Sequence, residues 1–191
     1  VDKVWPLGTG CGVKVCVVDS GIDTTHPDLV DRFQGGLNLV AGDDCVKDGN
    51  GDPIDPDLES DKNVCDSLGH GTHVSGIIAG SVNGLGVVGM APGAEIYSGR
   101  VFGSYGSTTF SIITEAIAYC NEINADVLSM SLGGGGSDTA MEEEIQRALD
   151  RGAAVVVAAG NSGNGDPYDG VKDNVGFPGR LPGVFTVSAS D

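Results

Sequence analysis

Two polar residues that could act together on a substrate stand at the ends of predicted elements. Asp19 closes an apolar run over residues 13–18, and His70 opens a His-Gly-Thr-His segment after which apolar residues return at helical spacing. An aspartate beside a histidine fixes the tautomer of the imidazole and stabilises its charged form, so the other ring nitrogen can act as a base. Because ligands of an open parallel sheet bind beyond the carboxyl ends of its strands, we expect the two side chains to meet there.

Two more predicted strands end in glycine-rich polar segments. One reads Ser-Met-Ser-Leu-Gly-Gly over residues 129–134, and the other reads Ala-Ala-Gly-Asn-Ser-Gly over residues 158–163. Glycines at such places let a ligand approach the backbone closely. An alternative use of the histidines is a zinc site, with His70, His73 and either Asp19 or His26 as ligands. A lone HxxH spacing is a weak signal for zinc, so the acid–base interpretation is favoured.

The elements that must position these residues alternate along the chain. Apolar runs predict strands over residues 13–18, 95–101, 126–131, 153–159 and 184–189. A single apolar stripe predicts a helix over about residues 108–123, and a second helix follows Asp138, which suits an N-cap. Near-continuous apolar strands separated by helices are typical of a doubly wound α/β domain, which is a mostly parallel sheet with helices on both faces.

The composition restricts the partners. The 191 residues include 10 Lys and Arg against 27 Asp and Glu, and a net charge of −17 disfavours nucleic acid and anionic membranes. No apolar run approaches the roughly 20 residues of a membrane-spanning helix. The many carboxylates suit hard cations such as calcium. A nucleotide-binding interpretation of the glycine-rich residues 8–12 fails, because they precede the first predicted strand instead of following it.

A long acidic segment over residues 43–66 interrupts the alternation and is predicted to be a surface insertion. Four of its residues fall at positions one, three, five and twelve of an EF-hand-like calcium loop. Pro53 stands where that loop needs glycine, so a solvated insertion is the favoured interpretation. The four candidate ligands are Asp48, Asn50, Asp52 and Glu59.

Five cysteines leave an odd count and form no CxxC pair, which disfavours a structural zinc site. Cys45 and Cys65 bracket the acidic segment and could form a disulfide, which would imply an oxidising compartment. Cys16 and Cys120 lie in apolar patterns. Buried free thiols and disulfide-bonded cysteines fit these two positions equally well.

The polar segments resemble three motifs of the subtilisin-like serine proteases. Val-Val-Asp-Ser-Gly-Ile-Asp at residues 17–23 is similar to the aspartate motif, and His-Gly-Thr-His-Val-Ser-Gly at residues 70–76 to the histidine motif. Ala-Ala-Gly-Asn at residues 158–161 is similar to the strand that carries the oxyanion asparagine. The resemblance implies a secreted serine endopeptidase that needs no cofactor for catalysis. In it Asp19 orients the imidazole, His70 is the general acid and base, and Asn161 donates to the oxyanion.

The same resemblance implies where a polypeptide substrate would lie. Residues 131–133 resemble one side of the family's peptide channel and residues 103–107 the opposing edge, so the substrate would be added as an extended strand. Residues 158–160 would form part of the pocket for the side chain before the scissile bond. The implied substrate contacts are Ser131, Leu132, Gly133, Gly106, Ser107, Ala158 and Gly160.

A structural calcium ion is also implied, because residues 81–87 resemble the family's calcium loop in length and polarity. The alternative is a plain turn that ends a helix. The implied ligands are the side chains of Asp28 and Asn83 and the carbonyl groups of Ser81, Leu85 and Val87.

The sequence departs from the family at the nucleophile. The Gly-Thr-Ser-Met-Ala-like motif does not occur, and residues 184–189 resemble the strand upstream of it. We therefore expect residues 1–191 to be a partial peptidase domain that ends before the nucleophile and is inactive alone. A pro-segment or further domains of the same precursor are then expected partners. An inactive relative that only binds peptides is the alternative.

Overall fold

A computed structural model describes residues 4–40, 63–161 and 175–189. Its six strands form one sheet in the order β2-β3-β1-β4-β5-β6, and every neighbouring pair is parallel. Five of these strands confirm predicted ones, with ends shifted by at most two residues. The strands are β1 Lys14–Asp19, β2 Phe33–Asn38, β3 Glu95–Arg100, β4 Val127–Met130, β5 Ala154–Ala158 and β6 Phe185–Val187.

Strand β2 was not predicted, because its sequence Phe-Gln-Gly-Gly-Leu-Asn has low strand propensity. The packing around it explains one of its two glycines. A Cβ at Gly36 would lie 2.6 Å from the carbonyl oxygen of Ser98 and 2.7 Å from a Val64 methyl group. The close approach of neighbouring backbone therefore requires glycine here, and sheet pairing overrides local propensity.

The described residues include three helices between the strands: α1 His70–Ala79, α2 Phe110–Glu122 and α3 Thr139–Asp150. Asp138 caps α3 as predicted, since its carboxylate accepts a hydrogen bond from the backbone N–H of Met141 at 2.9 Å. Gly152, with a φ of +85°, follows the end of the helix. In the described parts of the chain, no helix has the length and apolar character needed to cross a bilayer.

Helices cover both faces of the sheet, as the doubly wound pattern predicts. Successive residues of β1 point to opposite faces: Val15 and Val17 pack in a cluster with α1, whereas Cys16 and Val18 pack in a cluster with α2 and α3. Burial on both faces explains why β1 is apolar along nearly its whole length. The α/β fold class is confirmed.

A disulfide joins Cys16 in β1 to Cys120 in α2, so free thiols at these positions were the wrong interpretation. Both residues are fully buried among apolar side chains, which is why their sequence context suits thiols as well as a bridge. Disulfides typically stabilise a fold by about 2–4 kcal/mol. Cys65 is also disulfide-bonded, but its predicted partner Cys45 lies outside the described residues.

The predicted surface insertion lies partly outside the described residues, and its end differs from the prediction. The EF-hand-like ligands Asp48, Asn50, Asp52 and Glu59 all fall in the undescribed range 41–62. Val64 and Cys65, by contrast, are buried. The carbonyl oxygen of Val64 also accepts a hydrogen bond from the backbone N–H of Ile22 at 2.7 Å. Residues 64 and 65 are thus part of the core, and a surface insertion extending through them is wrong.

Candidate active site

The structure brings Asp19 and His70 together at the carboxyl edge of the sheet. Asp19 is the last residue of β1 and His70 the first residue of α1. The distance between Asp19 Oδ1 and His70 Nδ1 is 2.7 Å. Because an ionised carboxylate can only accept, this contact requires the proton on Nδ1 and leaves Nε2 as the free ring nitrogen. The Asp19 side chain is 1% exposed and that of His70 is 53% exposed, so the imidazole remains accessible.

Few groups other than His70 compensate the charge of Asp19. Its Oδ1 also accepts a hydrogen bond from the backbone N–H of Ser20 at 2.7 Å. Its Oδ2 is buried and has no hydrogen-bond partner among the described residues. The carboxylate is therefore available to balance the positive charge that the ring acquires when Nε2 takes a proton.

Close packing fixes the start of α1 against the turn after β1. A Cβ at Gly71 would lie 2.1 Å from the carbonyl oxygen of Gly21. A larger residue after His70 would therefore push the helix away from Asp19. This contact gives a physical reason for the His-Gly sequence.

A cavity of about 580 Å³ lies beside His70. Residues following β4 and β5 form its walls, so glycine-rich segments far apart in sequence converge there. The predicted site residues that line this cavity are His70, Asn161, Ser131, Leu132, Gly133, Ala158 and Gly160.

A second cavity of about 510 Å³ shares the lining residues Leu132, Gly133 and Gly134 with the first. The two remaining predicted substrate contacts, Gly106 and Ser107, line this second cavity and not the one beside His70. Its other walls are largely apolar and include the side chains of Phe102, Phe110, Ile113, Met141 and Phe177.

Several residues of the site escaped the sequence analysis. Val175, Gly176 and Arg180 line the cavity beside His70 from a segment that no motif marked. Phe177 exchanges two backbone hydrogen bonds of 2.9 Å with Gly134, which fixes this segment against the glycine-rich strand end. A tertiary contact of this kind leaves no local sequence signal.

Asp66 was also missed, because it was assigned to the acidic insertion. Its carboxylate accepts hydrogen bonds from the backbone N–H groups of Gly69 and Thr72, both at 2.8 Å. An acidic residue shortly before an apolar helical pattern is a known helix-start signal, and it could have identified Asp66.

The predicted calcium loop is wrapped around a buried carboxylate. Asp28 accepts hydrogen bonds from Asn83 Nδ2 at 2.9 Å and from the backbone N–H of Val87 at 3.1 Å. The backbone N–H of Ser81 donates to the carbonyl oxygen of Asp28 at 2.9 Å, and that of Leu85 to Asn83 Oδ1 at 2.9 Å. The hydrogen bonds from Asn83 and Val87 hold the pKa of Asp28 below its ordinary value.

The donor chemistry of this loop fits a hard cation better than a transition metal. Across residues 4–40, 63–161 and 175–189, no three His, Cys, Asp or Glu side chains come together as a metal-binding group. The zinc interpretation with His70, His73 and either Asp19 or His26 therefore finds no support. One carboxylate, one amide and several carbonyl groups around residues 81–87 are oxygen donors of the type that calcium prefers.

Comparisons of the sequence with a family model and with curated proteins indicate the same protein family. A sequence model of the subtilase family matches residues 10–191. The chain is 37% identical to subtilisin DY of Bacillus licheniformis over 191 residues, which are 100% of this chain and 61% of that protein. It is 39% identical to an intracellular serine protease of Paenibacillus polymyxa over 97% of this chain and 52% of the relative. It is 37% identical to subtilisin Savinase of Lederbergia lenta over 96% of this chain and 57% of that protein. The chain thus spans about half to three-fifths of the length of these curated relatives.

Proposed function

Because this chain belongs to the subtilase family, we propose that it is the part of a serine endopeptidase domain that supplies the acid–base pair and the oxyanion donor. The observation that carries the proposal is the 2.7 Å contact between Asp19 and His70. His70 lines a cavity that Asn161 also lines. An accessible imidazole that contacts a buried carboxylate, with an amide in the wall of the same cavity, suits acyl transfer.

The nucleophile in this proposal is a serine outside residues 1–191. Its hydroxyl proton passes to His70 Nε2 while its oxygen attacks the carbonyl carbon of the scissile peptide bond. Asp19 balances the charge on the ring. His70 then returns the proton to the leaving amine, the C–N bond breaks, and water hydrolyses the acyl-enzyme by the same route. Asn161 donates a hydrogen bond to the negative oxygen of the tetrahedral intermediate. Residues 1–191 alone are inactive in this proposal, since they lack the serine.

The two cavities support a polypeptide as the substrate. Leu132 and Gly133 line both of them, so an extended peptide along residues 131–133 can place one side chain in each cavity. The cavity beside His70 takes the residue before the scissile bond. The cavity lined by Phe102 and Phe110 takes an apolar side chain further from that bond, because its walls are apolar.

An extracellular location is part of the proposal. The buried disulfide between Cys16 and Cys120 supports an oxidising compartment. Family membership alone does not decide the location, since one of the relatives is named an intracellular protease.

A serine-directed probe tests the proposed function. We expect the full-length protein to hydrolyse an unstructured protein substrate and to react with a fluorophosphonate probe at one serine. Peptide mapping should place the label outside residues 1–191. Pretreatment with the probe should abolish hydrolysis, because the labelled serine is the nucleophile.

The opposite result supports the alternative function. A full-length protein that neither reacts with the probe nor cleaves the substrate, yet binds an extended peptide, is a non-catalytic relative. Binding to the same peptide channel would then account for both cavities without any chemistry.

We also propose that the loop over residues 81–87 binds calcium. The ligands would be the side chains of Asp28 and Asn83 and the carbonyl groups of Ser81, Leu85 and Val87. The ion would be structural and would take no part in the reaction. Because calcium would bind the folded state only, we expect added calcium to raise the melting temperature of the full-length protein and chelator to reverse the shift. Asp28→Asn should remove most of this calcium-dependent shift, whatever its effect on the melting temperature itself.

Asp31→Asn is the matched control for this prediction, since Asp31 is an exposed aspartate three residues away. It should keep the calcium-dependent shift. A shift that survives intact in Asp28→Asn would assign the calcium to another site. No shift in the wild-type protein would rule out a stabilising calcium ion.

A further inference from the structure

Asp66 connects several donors at the start of helix α1. Its Oδ1 accepts hydrogen bonds from the backbone N–H groups of Leu68 at 3.0 Å and Gly69 at 2.8 Å. Its Oδ2 accepts from the backbone N–H of Thr72 at 2.8 Å and from the Thr72 hydroxyl at 2.7 Å. These contacts satisfy N–H groups that a helix start leaves unpaired, and they place a negative charge at the positive end of the helix dipole.

The same carboxylate also reaches the residue that follows strand β1, which an ordinary helix cap does not require. The hydroxyl of Ser20 donates to Asp66 Oδ1 at 2.7 Å and accepts from the backbone N–H of Gly71 at 2.9 Å. Ser20 follows Asp19 in sequence, and Gly71 follows His70. A continuous set of hydrogen bonds therefore joins the residues next to both members of the candidate catalytic pair.

A second connection runs through Thr72. Its hydroxyl donates to Asp66 and accepts from the backbone N–H of Asp23 at 2.9 Å, in the segment that follows β1. Both oxygens of the Asp66 carboxylate thus hold the start of α1 against the end of β1. Burial alone would raise the pKa of Asp66. The hydrogen bonds from Thr72, Ser20 and Leu68 outweigh this and lower the pKa, so the group is ionised at neutral pH.

We infer that Asp66 is a positioning residue that fixes the distance between Asp19 and His70 by holding helix α1 to strand β1 through Ser20 and Thr72. This inference rests on the proposed function, because a fixed pair matters only if His70 must be aligned to take a proton. An error of about 1 Å in the alignment of catalytic groups can cost about 10²-fold in rate. A pure helix cap would affect stability alone.

The test compares Asp66→Asn with wild type in the full-length protein. Asparagine keeps the size of the side chain, but it replaces one acceptor oxygen with an NH₂ group that cannot accept the bonds now made to that oxygen. We expect kcat to fall at least about 10-fold while KM stays within about twofold, since the substrate cavity is not altered. The downfield ¹H NMR signal of the proton between His70 Nδ1 and Asp19 should also shift or broaden.

Asp126→Asn is the matched control. Asp126 accepts a hydrogen bond from the backbone N–H of Lys14 at 2.8 Å, so it also holds strand β1. It does so at the other end of the strand, roughly 16 Å from Asp19 at about 3.3 Å per residue. This variant should lose stability without any change in kcat or in the NMR signal.

Ser20→Ala separates the bridge to β1 from the helix cap, because it leaves the bonds from Gly69 and Thr72 to Asp66 in place. If Asp66→Asn does not fold, Ser20→Ala decides the question, and it too should lower kcat with KM unchanged. Unchanged kcat and an unchanged NMR signal in the variants that fold would overturn the inference. A wild-type protein without peptidase activity would instead contradict the proposed function. The NMR signal would then still test whether Asp66 positions His70.

Discussion

Replacing His70 by alanine in the full-length protein is expected to lower kcat for peptide hydrolysis by about 10⁴-fold or more. General-base catalysis alone contributes about 10²–10⁴-fold, and in the proposed mechanism the loss of His70 also removes the acid that protonates the leaving amine. The fold should be retained, because the His70 side chain is 53% exposed and fills no part of the core. Kinetics on a fluorogenic peptide, together with a thermal melt, measure both effects.

His73→Ala is the control for this prediction. His73 is exposed and lies one helical turn further along α1, so the substitution changes the same helix without touching Asp19. The protease interpretation predicts nearly full activity for this variant, whereas a zinc site would lose one of its two histidine ligands. Adding Asp19→Ala to His70→Ala should cost little more, since Asp19 acts through the imidazole. Undiminished hydrolysis by His70→Ala would remove the assigned acid–base role.

The parts of the fold that could be predicted are those in which one strand or helix carries its own signal. Strand β1 is buried on both faces, and this burial makes residues 13–18 apolar except at Lys14. The α3 cap at Asp138 is equally local, since it needs only a carboxylate three residues before the N–H group it accepts from. The pairing of Asp19 with His70 was predictable because β1 ends and α1 begins at the same edge of the sheet.

The features that could not be predicted depend on contacts between segments distant in sequence. Strand β2 has a weak strand sequence, and it forms because β3 supplies hydrogen bonds and Val64 packs against Gly36. The bridge from Cys16 to Cys120 spans 104 residues, and a buried cysteine has the same apolar neighbours whether or not it is paired. Contacts of this kind can be assigned only when the neighbouring element is known.

Asp66 illustrates how a correct composition argument can hide a specific role. The high density of acidic residues between positions 43 and 66 indicates a solvated surface. The last of these residues is instead half-buried, with its carboxylate shared between Ser20 and the start of α1. A charge count averages over a segment, whereas the environment of each carboxylate is decided by the donors around it.

Asn161→Ala in the full-length protein should lower kcat by about 10²–10³-fold with only a small change in KM. This range is the one established for subtilisin, a relative of this chain, and it sets the scale here. The physical reason is that the oxyanion exists only near the transition state, so its donor contributes little to binding of the intact peptide. Steady-state kinetics that separate kcat from KM measure the effect. The melting temperature should not change, because Asn161 is exposed.

Asn161→Asp distinguishes a donor from a merely space-filling side chain. Aspartate has nearly the same shape, but its carboxylate offers no proton and repels a developing negative oxygen. We therefore expect Asn161→Asp to be at least as slow as Asn161→Ala at neutral pH. An aspartate variant close to wild type would mean that shape is sufficient. A large increase in KM with kcat unchanged would mean that Asn161 binds the intact peptide. Either result would contradict stabilisation of the oxyanion by this amide, and the negative charge would then have to be stabilised by other donors around the same cavity.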